Sequence, residues 1–113
     1  MNIQIFGKAK CFDTKKAERF FKERRIKYQF VDIAKYGIRP GEYRSVKKAV
    51  GGYQEMLDPR CKEEEYALLP YLADESAVEE KILENPGLLK TPIVRNGKQA
   101  TVGYCPEIWS DWE

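Results

Sequence analysis

One cysteine stands where a thiol has chemistry available to it. Cys11 follows the apolar run Ile3-Gln4-Ile5-Phe6, which Gly7 closes, and it precedes a segment with helical spacing. Residues 2–6 suit a buried strand. After Cys11, apolar residues recur at Phe12, Ala17, Phe20 and Phe21 with charges between them, the pattern of an amphipathic helix. A thiol at this junction meets free backbone N–H groups and the positive end of a helix dipole, and both favour the thiolate. Lys8, Lys10, Lys15 and Lys16 are expected to add positive charge, and Thr14 to donate a hydroxyl hydrogen bond to the sulfur. Each of these lowers a thiol pKa, and the thiolate is the nucleophilic form. The plainer role for Cys11 is a small apolar residue at a strand end, since free cysteine is often simply buried.

The elements that position this thiol follow from the same patterns. Residues 13–25 are expected to form the first helix, capped by Asp13 or Thr14. Its buried stripe is Phe12, Ala17, Phe20 and Phe21, and Arg24 and Arg25 lie in its last turn. Lys15 to Arg25 is basic enough to suggest a nucleic-acid patch. Its phenylalanines sit at core spacing, so a solvated amphipathic face is expected and direct nucleic-acid binding is not. Tyr28 to Ile33 forms the second strand, with Phe30, Val31 and Ile33 as core. Strand, helix and strand in this length make a right-handed unit with parallel strands. Ala34 to Gly41 is expected as loop. Helix follows over about Glu42–Val50, with Tyr43, Val46 and Val50 inward and Gly51-Gly52 as its stop.

Residues 53–90 are mostly helical in pattern. Asp58-Pro59 and Pro70 interrupt them, Lys62 to Leu69 is one piece, and Asp74 or Ser76 caps another that buries Val78, Ile82 and Leu83. Asn85-Pro86-Gly87 ends that helix. Thr91 to Val102 then has a hairpin pattern around Asn96-Gly97, for which a type I′ turn is expected. A last helix runs over Glu107–Trp112, with Ile108, Trp109 and Trp112 docked on the sheet.

Composition narrows the chemistry. The 113 residues suit one domain, 1–113, and the apolar and charged fractions of 42% and 34% are ordinary for a folded chain. No apolar run approaches a membrane span, and no signal peptide is visible. Histidine is absent, and three cysteines without a CxxC pair give neither a zinc site nor a disulfide framework. A cytoplasmic, reducing compartment is expected, with no metal and no bound cofactor. Residues 1–50 carry a net charge of +9 and residues 51–113 one of −7. The halves are expected to fold together and partly cancel. The basic half can also attract an anionic small molecule, glutathione or an acidic protein surface.

Phe6-Gly7, Cys11-Phe12-Asp13-Thr14-Lys15-Lys16-Ala17 and Ile26 to Ile33 together resemble the arsenate reductase (ArsC)/Spx family. Glu84-Asn85-Pro86, Leu88 to Val94 and Val102-Gly103-Tyr104 extend the resemblance along nearly the whole chain. It implies an α/β, thioredoxin-like fold: a four-stranded mixed sheet in the order β-α-β, then β-β-α, with a helical insertion at about 53–90. It also implies that Thr91–Pro92 is a cis bond opposite the cysteine.

The function so implied is an arsenate reductase-like, thiol-dependent oxidoreductase with Cys11 as nucleophile. It would act on a small oxyanion or thiol substrate, with glutathione or glutaredoxin as reductant. Arg60 matches the family's mid-chain oxyanion arginine. Thr91 stands where the family has an arginine before the cis-proline. No arginine follows the hairpin, and Arg95 is the nearest substitute. The alternative from the same resemblance is a Spx-like regulator that binds RNA polymerase or another partner without turnover. Thr14 occupies the second position of the CxxC switch usual in that branch. Cys105, in the loop after the hairpin, is the candidate resolving thiol, with Cys61 behind it. Both also suit ordinary, partly buried thiols.

Overall fold

The computed structural model describes residues 1–112. Its strands are β1 (Ile3–Gly7), β2 (Tyr28–Asp32), β3 (Ile93–Asn96) and β4 (Gln99–Val102). They form one mixed sheet in the order β2-β1-β3-β4, with β1 parallel to β2 and antiparallel to β3. The helices are α1 (Phe12–Glu23), α2 (Ile33–Tyr36), α3 (Pro40–Val50), α4 (Glu64–Leu68), α5 (Glu75–Glu84) and α6 (Pro106–Trp109). Short 3₁₀ turns at Tyr53–Met56, Leu69–Tyr71 and Pro86–Leu88 link the pieces between α3 and β3. Among the described residues, no helix is long and apolar enough to cross a membrane.

The alternation of side chains along a strand divides the core in two. Ile3 and Ile5 pack with Val94 against Ala17, Phe20 and Phe21 of α1 and Trp109 and Trp112 near the C-terminus. Phe6 and Ile93 face the other way, onto Ile33, Tyr43, Val46 and the Met56–Leu89 segment. On that second side, Arg44 of α3 holds Glu79 of α5 through two hydrogen bonds of 2.9 and 2.8 Å.

Several expectations change in the structure. Helix α1 begins at Phe12, with Cys11 rather than Asp13 or Thr14 at its N-cap. Phe12 is 80% exposed. At 100° per residue it lies about 180–200° around the helix from the buried Thr14 and Phe21, so it does not belong to their stripe. The helix stops at Glu23, and Arg25 adopts a left-handed conformation with φ +57°. That turn sends the Ile26 N–H back to the Phe21 carbonyl at 2.9 Å and lets Ile26 pack on the α1 core.

Strand β2 is an edge strand whose Phe30 is exposed. Ile33 is fully buried but starts α2, because the Asp32 carboxylate accepts the Ala34 N–H at 3.0 Å and turns the chain. Helix α3 starts at Pro40, earlier than expected, and Val50 and Leu83 are only half-buried. The expected 62–69 helix shortens to α4. In the hairpin, Asn96 pairs with Gln99, so the turn residues are Gly97 and Lys98. Only Gly97 of the pair has positive φ, which is the type II′ placement of glycine rather than type I′. Helix α6 covers Pro106–Trp109, and Ile108 points outward.

Candidate active site

Cys11 is placed by two short segments. The turn after β1 closes with the Cys11 N–H on the Lys8 carbonyl at 3.1 Å. As N-cap of α1, Cys11 has extended backbone and its carbonyl accepts the Lys15 N–H at 3.2 Å. The side chain is half-buried, and its thiol donates to the Thr91 carbonyl at 3.6 Å. The Thr91–Pro92 bond is cis, and the Pro92 carbonyl accepts the Gly103 N–H at 2.8 Å. One end of the sheet thus gathers Cys11, Thr14, Thr91, Pro92 and the loop that leads to Cys105.

Burial opposes ionisation of Cys11, yet its pKa lies below the ordinary thiol value. The Thr14 and Thr91 side chains and the first backbone N–H groups of α1, at Thr14 and Asp13, together outweigh the burial. Thr14 is itself buried, and its Oγ1 completes no hydrogen bond among the described residues. The hydroxyl is nonetheless one of the groups that favour the charged sulfur. The expected lysine contribution is absent: Lys8, Lys10, Lys15 and Lys16 are not among the groups that lower this pKa. Lys16 instead lies 4.0 Å from Asp13 and over the Tyr104 ring at 5.7 Å.

Cys105 has the opposite electrostatics. Burial and the Glu107 carboxylate push its thiol up, and Lys90 and the Thr101 hydroxyl only partly offset them. Its sulfur donates to the Val102 carbonyl at 3.6 Å. Cys61 packs against the core on the other side of the sheet. All three cysteines are free.

A family model described as the ArsC family matches residues 6–112. The chain belongs to the ArsC family. Spx 2 of Oceanobacillus iheyensis, a global transcriptional regulator, is 32% identical to it over 108 residues, which cover 92% of this chain and 78% of that one. Two solved structures share the fold. An arsenate reductase from Vibrio cholerae superposes with a TM-score of 0.77 at 24% identity, over 96% of this chain and 94% of that one. An ArsC-family-related protein from Bacteroides fragilis gives 0.82 at 22% identity, over 97% and 96%. The four-stranded mixed sheet and the helices around it are the thioredoxin-like arrangement.

The arginines of this ArsC-family chain are not gathered at the thiol. Arg60 is 84% exposed in its side chain and lies 3.7 Å from Asp58. It makes no hydrogen bond to Cys11 among the described residues. Arg95 pairs in register with Gln4, donates from Nη1 to the Gln4 side-chain Oε1 at 2.8 Å, and reaches Ser45 Oγ at 3.3 Å. That places it on the α3 side of the sheet and toward the start of β1, away from Cys11. Thr91 was legible only as a departure from an arginine position. The structure gives it two relations to the sulfur, through its carbonyl and its hydroxyl. The signal available in sequence was its position directly before Pro92.

Proposed function

We propose that this chain is a thiol-dependent oxidoreductase of the arsenate reductase type, with Cys11 as its nucleophile. The carrying observation is a half-exposed thiol at the start of α1 whose pKa stays low although burial raises it. Thr14 and Thr91 support the thiolate as positioning residues. The substrate that fits best is a disulfide or other oxidised thiol. A tetrahedral oxyanion calls for convergent guanidinium groups, and Thr91 cannot supply the charge or the paired donors of arginine.

In the reaction, the Cys11 thiolate attacks one sulfur of RS–SR′. The Cys11–S–S–R bond forms, the S–S bond of the substrate breaks, and R′S⁻ leaves to take up a proton. A second thiol then attacks the mixed disulfide, releases Cys11 as thiolate and becomes disulfide-bonded to R. Glutathione or glutaredoxin is the reductant in this reading. Cys105 is the weaker candidate for that step, since its thiol is held protonated. Arg60 would assist an anionic substrate only by moving from Asp58.

A second reading is supported by the 32% identity to the regulator Spx 2. Here the chain binds RNA polymerase without turnover, and Cys11 acts as a one-thiol sensor because Thr14 replaces a second cysteine. Both readings fit a reducing, cytoplasmic setting.

The deciding experiment is the rate of Cys11 alkylation against pH, with Cys11→Ser as blank. Rapid reaction at about pH 6, lost in the variant, supports the nucleophile. Reaction that rises only near the free-cysteine pKa of about 8.5 overturns it. Turnover of disulfides or arsenate with glutathione and glutaredoxin then separates the enzyme from the regulator, which would capture RNA polymerase and turn over neither.

A further inference from the structure

Phe12 is the residue after the nucleophile, and it presents 80% of its surface to solvent. Burying such a ring is worth about 2 kcal/mol, which a partner that covers it would gain. At 100° per residue Phe12, Lys16, Arg19 and Glu23 fall on one stripe of α1. Beyond Phe12, the stripe's Lys16, Arg19 and Glu23 form one wall of a groove of about 570 Å³ between α1 and α6. Phe20 and Tyr104 lie in its lining, and Tyr104 is 41% exposed. Arg24 is preset there, with its guanidinium 3.6 Å from the Phe20 ring centre and Nη1 on the Phe20 carbonyl at 3.3 Å. At one end Lys16 lies over the Tyr104 ring, and the neighbouring Gly103 N–H bonds the Pro92 carbonyl in the loop whose Thr91 carbonyl accepts from Cys11.

Charge decides what this surface fits. Residues 8–27 contain nine Lys/Arg and three Asp/Glu, a net charge of +6. Asp13 and Glu23 lie 4.0 Å from Lys16 and Arg19, and Glu18 accepts the Tyr28 hydroxyl at 2.9 Å. Glu107 is the one acidic side chain that α6 adds to the groove. From Phe12 to Arg24 the helix rises about 18 Å, the span of roughly five extended residues.

We propose that the Phe12 stripe and the α1–α6 groove dock an extended acidic segment of a partner protein. An apolar residue of that segment covers Phe12, and its cysteine meets Cys11. The assignment rests on the oxidoreductase reading for the sulfur chemistry. A nucleic acid would match the charge but offers no sulfur to Cys11.

The test uses two peptides that differ only in Glu versus Gln at three positions after a Leu-Cys pair. Binding is measured first on Cys11→Ser by fluorescence anisotropy, so that the surface is tested without the thiol. The acidic peptide should bind about tenfold more tightly at low salt, and the difference should close at high salt. Phe12→Ser and Arg19→Ser should each weaken it several-fold. Equal binding of the two peptides, indifference to both substitutions, or equally tight competition by a single-stranded oligonucleotide overturns the proposal.

The same peptides, activated as 2-thiopyridyl disulfides, are then given to the unsubstituted protein. Cys11 attacks the peptide sulfur, the Cys11–peptide disulfide forms, and thiopyridone leaves and is read by absorbance. Both variants should slow the acidic peptide and leave 2-hydroxyethyl 2-pyridyl disulfide unchanged. A surface that binds while Cys11 stays inert to every disulfide sinks the oxidoreductase reading alone. A reactive Cys11 that treats both peptides alike sinks the docking surface alone.

Discussion

Gly7 and Thr14 are in direct contact: a β-carbon at Gly7 would lie 2.7 Å from Thr14 Oγ1 and closer still to its methyl group. The glycine at the end of β1 therefore sets the position of a hydroxyl that favours the Cys11 thiolate. Gly7→Ala forces Thr14 to shift. The expected result is a higher Cys11 pKa and slower alkylation at neutral pH, with the helix content of circular dichroism unchanged.

Thr14→Val separates stability from reactivity. The hydroxyl is buried and completes no bond, so its removal should stabilise the fold by about 1 kcal/mol in urea denaturation at about pH 5, where the thiol is protonated. The same change should raise the Cys11 pKa. If stability and thiol reactivity move together, the unbonded hydroxyl does not have this role.

The lowered Cys11 pKa also predicts how stability depends on pH. The folded value lies below the unfolded one, so the unfolded state binds more protons between them. This contribution is fully present above the unfolded pKa and is lost as pH falls through the folded one. The stability difference between the protein and Cys11→Ser should thus be larger at about pH 9.5 than at about pH 6. Cys105 is common to both proteins and cancels. A difference that shrinks at alkaline pH would contradict the assignment.

Trp109 donates from Nε1 to the buried Thr101 Oγ1 at 2.8 Å while its ring packs on Phe20 and Phe21. Trp109→Phe leaves that oxygen without its donor. A loss of roughly 1–3 kcal/mol in urea denaturation is expected. Thr101→Val in the Trp109→Phe background should recover part of it.

Arg25 is the one non-glycine residue with positive φ among those described, and its side chain is exposed. Arg25→Gly should stabilise the protein by about 1 kcal/mol, because the left-handed conformation carries that cost for residues with a β-carbon. Thermal unfolding should rise by a few degrees, and alkylation of Cys11 should not change.

The fold was legible where local pattern and tertiary demand agree. The apolar alternation of Ile3, Ile5 and Phe6, the helix stripe at Ala17, Phe20 and Phe21, and Asp74 as a cap all stand in the structure. The misplacements have physical causes. Phe12 shares the composition of the stripe but not its angle. Phe30 has strand chemistry, but β2 lies at the edge and lacks a neighbour to cover it. Gly97, rather than Asn96, takes the left-handed turn because the pairing of Asn96 with Gln99 sets the register. At the site, the junction that exposes Cys11 was readable from spacing. The part of Thr91 was not, since it depends on a strand eighty residues away meeting the start of α1.

The sheet is a single layer with a different core on each side, and the buried face of α1 packs into one of them. Most of the segment between α3 and β3, from Met56 to Leu89, packs into the other. Loop lengths and packing there are free to drift, be trimmed or be replaced by a new recognition element, while the thiol keeps its setting. Heredity can treat the molecule as two halves: a reactive side that tolerates little revision, and a far side on which new partners can be tried.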